Sequence, residues 1–597
     1  MRTTKILLGI LAAALLPVLL QAIFGYGGQG FTYHVPSWLE LKDLWHLHEW
    51  RSGWASQANY GLGDPRFTYY PPTSFVLGAG LATALPIWIV PAIYTWIVFA
   101  LSGLSMLFAS REFLAREDRW KAALLYMLSP YLLTAMLVRF SAAEALTLAW
   151  LPLTLAYFHR AAWHSERRAV MLLGCLLGLT WITDLPASIV LLFVLSFSVG
   201  ILAILRNSVK PLPTILLAEI IAAALAAFYL IPTWIERTWI SIGARMDTRI
   251  AASLISGTAA QESFQPPDRN SLLFLFTHPR HQPIPLFAIG LWIITLAGIG
   301  LAILCARSGL KSRENRQTTR TWLVLAAVSL FFELPLSFGL WKHMPAIRLA
   351  DFPYRFLAPM GAVLPLMLFA ESTPKRWRIS GCVLLGLLAT VPVWEYGTAK
   401  GGFTNLRVLG PVWQNMGYRG WPAFVPTGAV APLVAPQVDP VTVADPTRYP
   451  NCSTSLESEQ NDGDQQNDNQ QAGNEQNDSN AKSEKNILEK TILIDSPTLC
   501  KVRVGQFFFP YWRAIDDSGI PLPISQDTDG LLLVSIPAGR HTVKLQYIVT
   551  SPARTASWVA SGISLTLVLA TVYWPHRRRR VTARPSPSFA ARRTNQV

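Results

Sequence analysis

Long apolar runs alternate with short polar segments along most of this chain, and their lengths predict its helices. Each full run approaches the roughly 20 apolar residues that cross a bilayer as a helix. Residues 73–85 predict only a partial or interfacial helix, because Pro86 and Pro91 interrupt the run. Full spans are predicted near residues 90–108, 122–138, 144–158, 169–183, 186–205, 213–232, 286–305, 321–337, 354–370, 379–395 and 556–574.

The first apolar run, residues 1–24, follows Arg2 and Lys5 and lacks a small-residue cleavage site. We therefore expect a retained signal anchor with its N-terminus in the cytoplasm. Added to the spans above, this first helix predicts a mainly α, polytopic membrane protein with about twelve transmembrane helices.

Composition and charge support the same class. The 597 residues are 51% hydrophobic and only 15% charged, which is too apolar for one large soluble fold. The net charge of +15 comes from short Lys and Arg clusters between apolar runs, a pattern that orients helices in a membrane rather than one that binds nucleic acid. We expect a multi-pass protein of the inner (plasma) membrane, with both termini cytoplasmic and no nucleic-acid partner.

The same sidedness divides the chain into domains. After the signal anchor, the predicted domains are a first outer loop at 25–72, a helical body at 73–395 with an outer loop at 233–285, an extracytoplasmic domain at 396–555, a last helix at 556–574 and a basic cytoplasmic tail at 575–597. Within the extracytoplasmic domain, residues 453–486 have almost nothing apolar to bury and predict a disordered insertion. Short β-rich runs over 491–550 predict a small antiparallel module. Cys452 and Cys500 flank the polar tract and could pair in an oxidising compartment.

The first outer loop carries the main candidate catalytic residues. Asp64 and Arg66 supply both charges in a turn set by neighbouring Gly and Pro residues, with a local Asp–Arg bridge as the alternative. Glu40 is the second candidate carboxylate, although its spacing from Asp43 and His46 also fits an amphipathic juxtamembrane helix.

His34 is the third candidate in this loop. It could hold a divalent ion, magnesium or manganese, with nearby carboxylates, or be an unliganded surface histidine. No motif in the chain requires a cofactor.

Charged residues at the predicted outer turns of the helical body are candidates for substrate binding. Arg139 and Glu144 lie five residues apart, and their alternative is an ion pair that closes a helical hairpin. Asp184 either caps a helix or lines a groove. Asp351 and Arg355 flank an aromatic stretch, where Arg355 could bind a phosphate or the segment could anchor at the membrane interface.

Several segments together resemble a known superfamily. They are HVPSW (34–38), ANYGLGDPRFTYYPP (58–72), RFSAAEALTLAWL (139–151), DLP (184–186), ADFPYRF (350–356), FFFPYWRAIDD (507–517) and GLLLVSIPAGRHTVKLQY (530–547). In this order they resemble the C-type (GT-C fold) integral membrane glycosyltransferases, and most closely the bacterial YfhO-like multipass proteins. Members usually carry an Asp a few residues before His34, and here residues 28–33 contain no carboxylate.

The resemblance implies transfer of a sugar from a polyprenyl-phosphate-linked donor to an outer-face envelope glycan, lipid or protein. It implies Asp64, Glu40 and His34 as the catalytic set, and substrate contacts from Arg66 and Tyr70. The partners would be the lipid bilayer, the donor and the acceptor. The alternative is a non-catalytic protein of the same fold that acts in the transport or assembly of envelope polysaccharide.

Sidedness can be tested directly. A reporter fused at Asn467 is expected to report an extracytoplasmic location, because the basic clusters place residues 396–555 outside. A cytoplasmic signal from this fusion, with a fusion at Arg376 as the inside control, would contradict the whole assignment.

Overall fold

The computed structural model describes most of the chain. The described residues are 2–28, 30–50, 52–241, 315–350, 352–398, 439–449, 451–456, 488–549 and 551–573, with short pieces between 296 and 310 and between 410 and 432. Most of the predicted outer loop 233–285, most of the predicted span 286–305, nearly all of the insertion and the basic tail lie outside the described residues. So does Asp351.

Helices form nearly all of the N-terminal two thirds. Their bounds are α1 Arg2–Ala13, α2 Leu15–Phe24, α3 Phe31–His46, α4 Arg66–Tyr69, α5 Pro72–Ala84, α6 Val90–Ala109, α7 Arg119–Met127, α8 Pro130–Leu133, α9 Ala142–Leu148, α10 Leu151–His164, α11 Arg167–Trp181, α12 Leu185–Leu205, α13 Pro211–Leu225, α14 Ala227–Ile235, α15 Arg316–Glu333, α16 Phe338–His343, α17 Ala358–Leu368, α18 Lys375–Thr398 and α19 Pro552–Tyr573. A π-helical turn, Thr134–Val138, continues α8.

Within the described residues, six helices are long and apolar enough to cross a membrane, or up to seven if the bent pair α13 and α14 forms one span. That pair bends by 75° at Ala226. The helix α5 has 13 residues and is shorter than a bilayer span, which is about 20 residues. The prediction of a mainly α membrane protein with a β-rich domain before the last helix is therefore confirmed, while the number twelve stays a prediction.

The β module contains two antiparallel sheets whose buried side chains belong to one hydrophobic core. Its strands are β1 Val441–Val443, β2 Ser453–Leu456, β3 Glu489–Ser496, β4 Cys500–Phe507, β5 Trp512–Ile515, β6 Pro521–Leu522, β7 Ile524–Gln526, β8 Leu531–Ile536 and β9 Gly539–Tyr547. The sheet orders are β1-β4-β8-β7 and β2-β3-β9-β5-β6. Alternate residues of β4 (Cys500, Val502 and Val504) are buried, as expected for a strand with one face on a core.

Two boundaries of this module differ from the prediction. Strands begin at Val441, well before residue 491. Residues 453–456 are not part of a disordered insertion, because strand β2 pairs with β3 and satisfies their backbone groups. A disulfide joins Cys452, just before β2, to Cys500 in β4, and so connects the two sheets.

The last helix attaches the module to the helical body. The ring of Trp558 in α19 lies 4.5 Å from that of Phe228 in α14, measured between centroids. The Ser561 hydroxyl accepts a hydrogen bond from the Phe228 backbone N–H at 2.9 Å. The chain thus leaves the body through α18 and returns to it through α19.

Candidate active site

The helix α3 holds two of the three predicted catalytic residues in the protein interior. His34 and Glu40 are both buried, as are Tyr33 and Trp38, whereas Asp43 near its end is partly exposed. An amphipathic surface helix therefore describes only the last turns of α3.

Asp64 and Arg66 form a two-pronged ion pair. The Arg66 Nε donates to Asp64 Oδ1 at 2.8 Å, and Nη2 donates to Oδ2 at 2.6 Å. Both side chains have no exposed surface. The local bridge that the sequence left as an alternative is thus present, and the charges compensate each other in the interior.

The Arg66 guanidinium is also enclosed by aromatic rings. It lies 4.9 Å from the ring centroid of Tyr33 and 4.9 Å from that of Tyr418. Its Nη1 donates to the Ser37 hydroxyl at 3.0 Å. Cation–π contacts and hydrogen bonds therefore satisfy the group that the ion pair leaves free.

Glu40 lies next to this pair and receives two hydrogen bonds. The Gln57 backbone N–H donates to Oε1 at 2.7 Å, and the Tyr418 hydroxyl donates to Oε2 at 2.7 Å. Burial nevertheless raises the pKa of Glu40 to about 7, against the lowering effect of these bonds and of Arg66. This carboxyl can therefore exchange a proton near neutral pH.

His34 is buried among aromatic rings, so its interpretation as a surface histidine is wrong. Its ring contacts those of Tyr33, Trp38, Tyr70 and Phe75. Burial, helped by Arg66, lowers its pKa to about 3, so the imidazole is neutral. Its Nδ1 atom is buried and has no hydrogen-bond partner among the described residues.

Glu144 is the centre of a second cluster, at the predicted outer turns of the body. Its Oε2 lies 3.0 Å from Arg139 Nη1 and 3.3 Å from Arg355 Nε. The Tyr131 hydroxyl donates to Oε1 at 2.5 Å, and the Ser141 hydroxyl donates to Oε2 at 3.2 Å. The predicted Arg139–Glu144 pair therefore includes Arg355, which is more than 200 residues away in the sequence.

Asp184 follows the capping alternative. Its Oδ2 accepts from the Ala187 N–H at 2.9 Å and so caps the first turn of α12. Tyr70 relates this region to the outer loop, because it interacts electrostatically with Asp184, Tyr33 and Arg355. The backbone adds a direct link, since the Gly30 N–H donates to the Arg139 carbonyl at 3.1 Å.

A mostly apolar cavity lies beside the Glu144 cluster. It runs between the α7–α8 region and α17, and Arg139, Tyr131 and Tyr354 are among its lining residues. The apolar lining residues are Leu125, Pro130, Ala135, Leu357, Met360, Leu364, Pro365 and Leu385. The Arg139 side chain is 23% exposed, whereas Glu144 is almost fully enclosed at 2%.

Residues that can hold a metal lie elsewhere. Among the described residues, the one group of three or more ligand side chains is Asp516, Asp517 and His541 in the β module, with ligand atoms within 4.8 Å of one another. Asp516 already accepts from the Ser518 and Ile520 N–H groups. Around His34 the residues do not fit a divalent ion, because aromatic rings surround the imidazole while Asp64 and Glu40 bind Arg66 and Tyr418.

Several residues of the site had no signal in the sequence. Tyr418 and Gln57 reach Glu40, and Tyr131 reaches Glu144, only through the tertiary fold. Their types are ordinary and their spacings are unrelated to the motifs, so pattern reasoning could not select them.

Comparison with known proteins gives only distant likeness. No protein-family profile and no curated protein matches the chain. One similar solved structure is the archaeal oligosaccharyltransferase AglB from Archaeoglobus fulgidus in complex with an inhibitory peptide and a dolichol-phosphate, at 17% identity and a TM-score of 0.38. Another is the Archaeoglobus fulgidus oligosaccharyltransferase in complex with zinc and sulfate, at 17% identity and a TM-score of 0.37.

These alignments cover 68% and 69% of this chain but only 58% and 55% of those proteins. At such scores the likeness carries no conclusion about activity. What the fold defines is a class: a helical membrane protein with an outer loop buried under a β module.

The buried ion pair makes a stability prediction. Asp64→Asn leaves Arg66 without its counter-charge in the interior and is expected to cost about 3–5 kcal/mol of unfolding free energy. Asp43→Asn, at a partly exposed position of α3, is the control and is expected to stay within about 0.5 kcal/mol. Thermal unfolding of the detergent-solubilised protein measures both, and equal stabilities would contradict the described pair.

Proposed function

We propose that this protein is an integral membrane glycosyltransferase. It transfers a sugar from a polyprenyl-phosphate-linked donor to an envelope glycan, lipid or protein on the outer face. The observation that carries the proposal is the apolar cavity beside the two arginines of the Glu144 cluster.

The cavity suits an isoprenoid chain, because its walls are Leu, Pro, Met and Ala side chains from helices of the membrane body. The charge of the cluster suits the phosphate. Two guanidinium groups face one carboxylate, which leaves one positive charge uncompensated in a poorly hydrated place. Arg139, the more exposed of the two, is the residue proposed to bind the donor phosphate.

Glu40 is the proposed general base. In the reaction, the acceptor hydroxyl oxygen forms a bond to the anomeric carbon while the bond from that carbon to the phosphate oxygen breaks. The phosphate leaves with the electron pair toward Arg139, and Glu40 takes the hydroxyl proton. Asp64 keeps Arg66 in place, neutral His34 lies in the aromatic layer between the two clusters, and Arg66 and Tyr70 complete the proposed substrate contacts.

Glu40 is only 3% exposed, so an acceptor reaches it only when the outer loop moves. No step is assigned to a metal ion, because the residues around His34 do not fit one. Sidedness follows from the basic clusters, as does the extracytoplasmic location proposed for both the outer loop and the β module.

Donor binding is the first test. Arg139→Ala is expected to weaken binding of a polyprenyl-phosphate sugar to the full-length protein in nanodiscs by about tenfold or more, because a hydrogen bond to a charged group is lost. The control is Arg376→Ala, at an exposed position on the opposite predicted side. Equal affinity in both variants would remove the arginine cluster from the proposal.

The pH dependence of transfer is the second test. A base must be ionised, so with a Glu40 pKa of about 7 the rate is expected to rise as the pH increases through 7 and to level off above it. Glu40→Gln is expected to lower the rate about a hundredfold and to abolish this inflection. Transfer that is unaffected by Glu40→Gln would contradict the assignment.

A second function remains open because of one observation. Asp64 and Arg66 have no exposed surface and Glu40 has almost none, as in a structural core. This favours a non-catalytic protein of the same fold that acts in the transport or assembly of envelope polysaccharide. Unchanged envelope glycan in cells that carry only Glu40→Gln would select this alternative.

A further inference from the structure

Trp54 anchors the outer loop in the β module. Its indole is completely buried, with ring centroids 5.8 Å from Phe509, 5.6 Å from Trp512 and 5.3 Å from Tyr547. Its Nε1–H donates to Gln506 Oε1 at 3.0 Å. A residue of the first outer loop therefore completes the core of a module that begins almost 400 residues later.

Gln506 holds the same loop a second time. Its Nε2 donates to the Gly61 carbonyl at 2.7 Å, so one side chain connects both ends of the loop. The Phe507 backbone N–H donates to the Leu62 carbonyl at 2.8 Å. These groups are available because the pairing of β4 with β8 shifts register between Val504 and Phe507, which releases the end of β4 from its ladder.

The loop between these anchors is compact. Ala55 and Asp64 exchange backbone hydrogen bonds of 2.8 and 3.0 Å, which closes residues 55–64 into one turn. Gly63 is required where it lies, because its φ is +78° and a Cβ would come within 2.5 Å of the Trp54 ring. The position of Trp54 thus fixes the backbone immediately before Asp64.

The turn reaches Glu40 through Gln57. The Gln57 N–H that binds Glu40 belongs to this turn, and the Gln57 carbonyl accepts from the Tyr418 N–H at 3.1 Å. From the other elements packed against it, Glu40 faces Arg66, Asp64 and Tyr418. Displacement of the turn would remove a donor from the carboxylate while burial persists.

We infer that the β module is a positioning element for the proposed active site: Trp54 and Gln506 hold the turn 55–64, and through Gln57 they set the protonation of Glu40. This inference rests on the proposed function for the role of Glu40, whereas the mechanical part stands without it. Trp54 and Gln506 are positioning residues and touch no substrate in the proposed reaction.

Two conservative variants and one control test the inference in the full-length protein. Gln506→Met keeps the volume and removes both hydrogen bonds, and Trp54→Phe keeps an aromatic ring and removes the N–H. The control is Gln546→Met, because Gln546 donates to Glu489 within the module and has no recorded bond to the loop. Hydrogen–deuterium exchange of peptides covering 55–64 is the first measurement, and the pH profile of sugar transfer is the second.

We expect exchange in 55–64 to rise about tenfold in Gln506→Met and in Trp54→Phe but not in Gln546→Met, because the lost bonds lower the cost of local opening. We also expect the inflection of the pH profile to move upward, since a carboxylate that loses a donor is harder to ionise. A loss of stability alone would lower the rate without moving the inflection. Exchange equal to that of the control would overturn the inference.

The outcomes also separate this inference from the proposed function. Faster exchange with an unmoved inflection, while Glu40→Gln still abolishes that inflection, would overturn the link from the module to Glu40. Faster exchange with normal transfer in Glu40→Gln would instead refute the catalytic role of Glu40 and leave the mechanical role of the module supported.

Discussion

Arg66 places a full positive charge at a point that no solvent reaches, and the surrounding structure is built to compensate it. Leaving that charge unpaired would cost several kcal/mol, which is a large part of the stability of a typical domain. Asp64 supplies the counter-charge two residues away, and Tyr33 and Tyr418 supply ring faces on either side. The loop, the start of α3 and the segment around residue 418 must therefore all be in place together.

The second cluster solves a similar problem with a different balance. At Asp64 one cation meets one anion, and the pair is sealed. At Glu144 two cations share one anion, and one of them stays partly exposed beside an apolar cavity. A closed, neutral pair stabilises a fold, whereas an open, positive one retains the capacity to bind an anion. This contrast is why the proposed donor site is the second cluster rather than the first.

Local patterns predicted the classes of element well. Apolar runs and prolines gave the helices, and turn residues gave most strands of the module, because both depend on neighbours in sequence. Start points failed where distant pairing decides, as at β2, which is ordered only because β3 lies beside it. The acidic and basic candidates were selected by charge alone, and the sequence could not reveal that Arg355 joins Glu144 or that His34 is enclosed. Those facts depend on helices brought together from opposite ends of the body.

The bond between Trp54 and Gln506 joins residues separated by 452 positions. During synthesis the outer loop leaves the ribosome long before the module that buries it, so a large aromatic residue waits without its partner until the chain is nearly finished. The order of assembly is consequently fixed: the helical body must insert first, and only the arrival of the last strands closes the loop. A chain that stops early would carry an open hydrophobic socket site on its surface, which is the kind of feature by which cellular quality control recognises an unfinished protein.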